Sequence, residues 1–91
     1  MQRVHLSIVI PARNEASSIG GLLRRIRELH PSAQILVVND ASTDETASIA
    51  AACGARVISH TYAKGNGAAI KSGARASIGD VIVFMDADGQ H

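Results

Sequence analysis

Val81-Ile82-Val83-Phe84-Met85-Asp86-Ala87-Asp88-Gly89-Gln90 is the segment from which the rest of the chain is best read. Five consecutive apolar residues of β-favouring type predict a strand buried on both faces, and the run stops at two carboxylates one residue apart. On an extended backbone, residues two apart point the same way, so Asp86 and Asp88 can face one ligand while Ala87 stays small between them. Such a pair suits a hard divalent cation. Mg²⁺ and Mn²⁺ prefer oxygen donors and commonly bind through one or two carboxylates plus the phosphates of a substrate. Asp-Ala-Asp-Gly equally fits a plain polar turn after a strand, so the neighbouring segments must arbitrate.

Outward from that segment, size and composition narrow the classes. The 91 residues make one small domain, with nine Lys+Arg against eight Asp+Glu and a net charge of +1. That balance recommends neither nucleic acid nor an anionic membrane surface as a partner. Tyr62 and Phe84 are the only aromatic residues, so stacking platforms for single strands are lacking. Cys53 is the sole cysteine, which rules out an intrachain disulfide and reads as a small apolar filler in a reducing compartment. The four histidines, at positions 5, 30, 60 and 91, have no metal-ligand spacing and argue against zinc.

Strands and helices alternate along the chain. Val4 to Ile10 predicts a first strand that Pro11 closes. Ile19, Leu22, Leu23, Ile26 and Leu29 recur at helical spacing, opposite a solvated face of Arg24, Arg25, Arg27 and Glu28. Gly20 and Gly21 within that helix suggest close approach to a neighbour or a fraying first turn. Ile35 to Val38 predicts a second strand running into Asn39-Asp40. Ser42 with Glu45 three residues on fits a capping box, so a helix is expected to start there, with Ala47, Ala50 and Ala51 as its apolar face and Gly54 at its end. Ala55 to Ser59 predicts a third strand, His60 to Gly67 a loop, and Ala68 to Ser77 a helix rich in Ala and Gly that can lie close to a sheet. Gly79-Asp80 turn into the last strand. About four strands and three helices in alternation predict βαβ units and a parallel sheet.

Ligands of such sheets bind beyond the carboxyl ends of the strands, where strand order reverses. The polar clusters Pro11–Glu15, Asn39–Thr43, His60–Gly67 and Asp86–Gln90 all follow strands and are expected to converge there. Asn39 or Asp40 can hydrogen-bond a nucleobase edge, and Glu15 a ribose hydroxyl. Helix N-termini near Ser42 and Gly65 can present amides to phosphate. Lys64 either neutralises a diphosphate or is an ordinary solvated loop residue.

Taken together, Val9-Ile10-Pro11-Ala12-Arg13-Asn14-Glu15, Val37-Val38-Asn39-Asp40-Ala41-Ser42-Thr43-Asp44-Glu45-Thr46, Lys64-Gly65-Asn66-Gly67-Ala68-Ala69 and Asp86-Ala87-Asp88-Gly89-Gln90-His91 resemble the successive motifs of family 2 glycosyltransferases with a GT-A fold. The closing Asp-Ala-Asp-x-Gln-His is similar to the polyprenol- or dolichol-phosphate mannose synthase and glucosyltransferase branch. The resemblance implies a three-layer, Rossmann-like nucleotide-binding half and a hexosyltransferase that uses a nucleoside-diphosphate sugar, GDP-mannose or a UDP-hexose. It places Pro11, Glu15 and Asp40 at the nucleoside, and Ala12, Arg13, Asn39 and Lys64 are read beside them as the rest of the donor nucleotide site. Asp86, Asp88 and Gln90 are implied to hold Mg²⁺ or Mn²⁺. Two departures bear on the base: the family often has Asp-Asp where Asn39-Asp40 stands and an aromatic residue where Arg13 stands, which leaves guanine and uracil both open.

The resemblance further implies a polyprenyl-phosphate lipid acceptor and a place at the cytoplasmic face of a membrane for the full-length protein. Residues 1–91 are expected to be the N-terminal donor-binding part, ending after the metal motif. The general base is then expected further on, with no catalytic residue in this stretch. An outer sheet edge left bare predicts a homodimer. Two rivals remain open from the residues: a phosphoacceptor receiver module, for which Asp40 and Asp86 supply acids after two strands, and a nucleotide-binding module without catalysis.

Overall fold

A computed structural model describes residues 4–87. The order is β1 (Leu6–Ala12), α1 (Ala16–Leu29), β2 (Gln34–Asp40), α2 (Thr46–Ala52), β3 (Arg56–His60), α3 (Asn66–Ala76) and β4 (Val81–Phe84). All strand pairings are parallel, and the sheet order is β3-β2-β1-β4. The alternating architecture that the sequence predicts is therefore present, with four strands and three helices. The chain moves outward from β1 to β3 and then returns across the sheet to β4, so strand order reverses between β1 and β4. That reversal opens a crevice at the carboxyl ends of those two strands.

Period-two alternation divides the strands between two cores. Ile8, Ile10, Ile35 and Val37 face α1 and α2, against Ile19, Leu23, Ile26 and Ala50. Val9, Leu36 and Val38 face the other way, against Ala69 of α3. Burying side chains of this size stabilises the fold by about 1.5–3 kcal/mol each. The expected close approach of the Ala/Gly-rich helix is found at Gly73, where an added Cβ would lie 2.2 Å from Val9 Cγ1. Gly20 also sits at a contact, its Cβ position 3.3 Å from Ile49 Cγ2, whereas Gly21 faces open space. Leu29, placed in the buried stripe by spacing, is exposed at the last turn of α1. Cys53 ends α2 half-buried against the first core, as a small apolar filler should be.

Three expectations need correction. Pro11 does not close β1, which continues to Ala12. Val9 O accepts from Met85 N at 3.0 Å, so the backbone groups of Val9, and of Pro11 two residues on, point towards β4. Pairing with β4 stops at the Val9↔Phe84 step, so the N–H that proline lacks has no ladder partner to lose. Next, Ser42 caps no helix: α2 begins at Thr46, because Ser42 and Asp44 are used in bonds to the first loop, described below. Finally, β4 is not buried on both faces. Its four residues are exposed, Phe84 at 44%, because α3 packs over β1 and β2 and, among the described residues, no helix is laid across β4. Its entry is fixed at the other end, where Asp80 N donates to His5 O (2.7 Å) and His5 N to Asp80 Oδ2 (3.0 Å). No helix among the described residues is long and apolar enough to cross a membrane.

Candidate functional site

At the carboxyl ends of β1, β2 and β4 lies a cleft of about 300 Å³. Pro11, Ala12, Arg13, Glu15, Asp40 and Asp86 all line it, joined by Gly65 and Asn66 at the start of α3. Segments distant in sequence thus meet where the strand order reverses. A second cleft of about 340 Å³ adjoins it over β4, sharing Pro11, Asn66 and Asp86 and walled by Ile70, Val83 and Phe84.

The loops that carry these residues are tied to each other. Asn14, in the left-handed region at φ 54°, donates its amide to Ser42 Oγ (2.9 Å), and its Oδ1 accepts from Thr43 N (2.8 Å). Glu15 N donates to Thr46 Oγ1 (2.9 Å) and Ala16 N to Asp44 Oδ2 (3.1 Å). Asp44 Oδ1 also accepts from the amide and hydroxyl of Thr46. The Thr46 hydroxyl is the largest influence holding the Asp44 carboxyl below its ordinary pKa, against the cost of burial. Amides expected to greet phosphate near Ser42 are therefore used inside the protein: Ser42 N donates to Asn39 Oδ1 (3.1 Å) and Thr43 N to Asn14.

Asn39 is consequently a loop anchor rather than part of the cleft wall. Its Nδ2 donates to Ser59 Oγ (3.3 Å) while its Oδ1 holds Ser42 N. Its neighbour Asp40 does line the cleft. Asp40 Oδ1 accepts from Lys64 N (2.8 Å) and pairs with His60 Nδ1 (2.8 Å), and Oδ2 accepts from Gly65 N (2.9 Å). These donors, Lys64 N foremost, outweigh burial and lower the carboxyl pKa from 3.8 to about 2. An ionised carboxylate offers about four acceptor positions, so Oδ2 retains capacity for a further donor. Ala41, immediately after Asp40, sits at φ 60°, a strained conformation for a residue with a Cβ.

Lys64 contributes through its backbone. Its Nζ stands 5.2 Å from the Tyr62 ring centroid, a cation–π distance, and the side chain is not among those lining the cleft. The other expected phosphate-facing element is better placed. Gly65, at φ 93°, turns the chain into α3, whose first internal bond runs from Ala69 N to Gly65 O at 3.1 Å. The amides of Asn66, Gly67 and Ala68 precede that bond and take no acceptor from the helix itself, at its positive end.

Of the metal-ligand candidates, Asp86 lines the cleft with its side chain exposed, while Asp88 and Gln90 lie outside the described residues. The turn carrying Asp86 is held by Met85 N on Val9 O and by the Ser18 hydroxyl, which donates to Ala87 O at 2.9 Å. Among the described residues no three His, Cys, Asp or Glu side chains gather as a metal cage. A carboxylate at an open cleft does match a hard cation that takes most of its ligands from water and phosphate.

Sequence reasoning missed His60 and Ser72. The pattern of residues 60–67 predicts a loop, yet His60 ends β3 opposite Asp40 in the register, and its Nε2 lies 2.8 Å from Ser72 Oγ. The available signal for His60 is that it follows the third strand as Asp40 follows the second; nothing in the sequence singles out Ser72.

The model of glycosyl transferase family 2 matches residues 7–91. A 4,4'-diaponeurosporenoate glycosyltransferase of Staphylococcus haemolyticus (strain JCSC1435) is 36% identical over 89 residues, covering 91% of this chain and 24% of that protein. Among solved structures, mannosyl-3-phosphoglycerate synthase from Rubrobacter xylanophilus superposes with a TM-score of 0.84 at 36% identity, over 93% of this chain and 31% of that one. Glucosyl-3-phosphoglycerate synthase from Mycobacterium tuberculosis, crystallised with Mn²⁺, uridine-diphosphate and glucosyl-3-phosphoglycerate, gives 0.82 at 32% identity, over 92% and 33%. The chain spans about a quarter of the length of the curated relatives it matches and about a third of these solved chains.

Proposed function

This chain belongs to glycosyl transferase family 2, and on that premise we propose that its cleft binds the nucleoside-diphosphate part of a sugar donor, together with a divalent cation, for a hexosyl transfer. The observation that carries this reading is the convergence of Pro11, Arg13, Glu15, Asp40, the start of α3 and Asp86 on one cleft. Asp40 Oδ2 accepts from an N–H on the base edge, Glu15 accepts from a ribose hydroxyl, and the first amides of α3 face the phosphates. Asp86, with Asp88 and Gln90, is the set that holds Mg²⁺ or Mn²⁺. The ion, when bound, neutralises charge on the departing nucleoside diphosphate.

Support for the donor class comes from the solved relative crystallised with UDP and Mn²⁺. For the acceptor, the Asp-Ala-Asp-x-Gln-His motif favours a polyprenyl phosphate. The adjoining cleft, with its apolar wall of Ile70, Val83 and Phe84, is the part of the molecule we assign to the sugar and acceptor. A second copy of the chain is proposed to pair along the outer edge of β4, which among the described residues bonds to β1 alone.

Isothermal titration of the 91-residue chain with UDP, GDP and their sugars, with Mn²⁺ or with chelator, tests the reading. Metal-dependent binding of one nucleotide is expected, reduced at least tenfold in Asp86→Ala and Asp88→Ala, since each removes a first-hand ligand. Equal affinity in chelator rejects the metal role, and no binding of either nucleotide rejects the donor site.

A further inference from the structure

One buried group beside the cleft takes no part in the proposed donor contacts. His60 is only 8% exposed and stands beside Asp40 in the parallel register. Its ring bridges two elements: Nδ1 lies 2.8 Å from Asp40 Oδ1, and Nε2 lies 2.8 Å from Ser72 Oγ on α3. A carboxylate can only accept, so Nδ1 carries the hydrogen and donates. The Ser72 hydroxyl can donate to Nε2 or accept from it, and in either state it fixes the plane of the ring.

The bonds at Asp40 are unevenly shared. Oδ1 meets both His60 Nδ1 and Lys64 N, whereas Oδ2 meets Gly65 N alone. Gly65 lines the cleft and the imidazole does not, which sets Oδ2 on the ligand side and Oδ1 on the protein side. The two amides belong to the loop before α3. The imidazole, anchored by Ser72 from behind, is the side chain that fixes the carboxylate's rotation independently of that loop.

We infer that His60 is a positioning residue for nucleoside recognition: held by Ser72, it grips Asp40 Oδ1 so that Oδ2 presents its remaining acceptor site to the base. This rests on the donor-site reading given above. With only the Lys64 and Gly65 amides to hold it, the carboxylate swings over a wider range of χ2, presents that site less squarely to the base, and affinity falls accordingly.

Titration of UDP and GDP in the presence of Mn²⁺ into the 91-residue chain and its variants tests the inference. His60→Leu removes both bonds and is expected to lose about tenfold in affinity, at the low end of what partners orienting a ligating group contribute. His60→Asn places an amide donor near the position of Nδ1 and is expected to restore most of the loss. His60→Gln reaches the position of Nε2 instead and should not. A merely space-filling or fold-supporting histidine would not separate these two amides, and both remain informative if the leucine variant fails to fold. In an Asp40→Asn background, His60→Leu should cost no more than about twofold, because the two residues act as one unit. Equal affinity of wild type and His60→Leu overturns the inference, as does an undiminished loss in the Asp40→Asn background or equal failure of Asn and Gln. Absence of UDP and GDP binding by wild type instead removes the donor site itself, and this inference with it.

Discussion

Asp40→Asn should flatten the acid limb of the stability profile. The Asp40 side chain is 5% exposed and receives Lys64 N, Gly65 N and the His60 ring. Lys64 N is the chief cause of its lowered pKa, which falls from 3.8 to about 2. Because the folded state favours the charged form, the stabilisation is complete above pH 3.8 and is lost as pH falls towards 2. Each tenfold change in acidity is worth about 1.4 kcal/mol, so the displacement amounts to about 2 kcal/mol. Asparagine cannot ionise, and its NH₂ must face one of the three donors. At neutral pH the variant should therefore lose about 2–4 kcal/mol, the pairing plus a buried donor without an acceptor. Urea unfolding of both proteins, repeated from neutral pH down to about 2, reads this directly. The gap between them should narrow by about 2 kcal/mol over the acid range. Asp44, whose pKa is also lowered, is common to both proteins and cancels in the difference. A gap that stays constant to the acid end would refute the claim that these donors bind the ionised form.

Two further outcomes follow from packing. Gly73→Ala forces a Cβ to 2.2 Å from Val9 Cγ1 and should destabilise by about 1–3 kcal/mol, whereas Gly21→Ala, with nothing within 4 Å, should stabilise by about 0.5–1 kcal/mol; thermal unfolding that ranks the two the other way would mean α3 does not lie on the sheet as described. Along the outer edge of β4, light scattering across a concentration series should show dimer that Ile82→Lys returns to monomer. A monomer at every concentration would eliminate that pairing.

Much of this architecture is legible in the chain because hydrophobic periodicity and strand–helix alternation are local properties. Ile35 to Val38 announces a strand buried on both faces, and the Ala/Gly content of residues 68–77 announces a helix lying against a sheet. What eluded sequence reasoning depends on register and on position in the sheet. Val81 to Phe84 has the composition of a central strand, yet β4 is an edge, and no local signal separates the two. Ser42 and Glu45 have the spacing of a capping box, but Ser42 Oγ is engaged by Asn14 N, a partner 28 residues away. His60 gained its role only when the parallel register set it opposite Asp40.

The strand-end clusters divide into two kinds of polar residue, and the division has consequences for the cleft. Asn14, Asn39, Ser42, Asp44 and Thr46 bond to one another's loops and fix where the walls stand. Asp40 both fixes a loop and, with Glu15 and Asp86, lines the cleft itself. It draws the Lys64 and Gly65 amides onto its carboxylate, and this sets the start of α3 beside the cleft. On the proposed reading, recognition of the base and presentation of α3 to the phosphates thus depend on a single carboxylate. Substituting Asp40 must then weaken the nucleoside and diphosphate contacts together, by way of the displaced loop. Substituting His60 leaves the Lys64 and Gly65 amides on Asp40 and disturbs only its aim. A nucleoside without phosphates should consequently feel the loss of His60 as strongly as the diphosphate does, a pattern that a general loosening of the loop cannot produce.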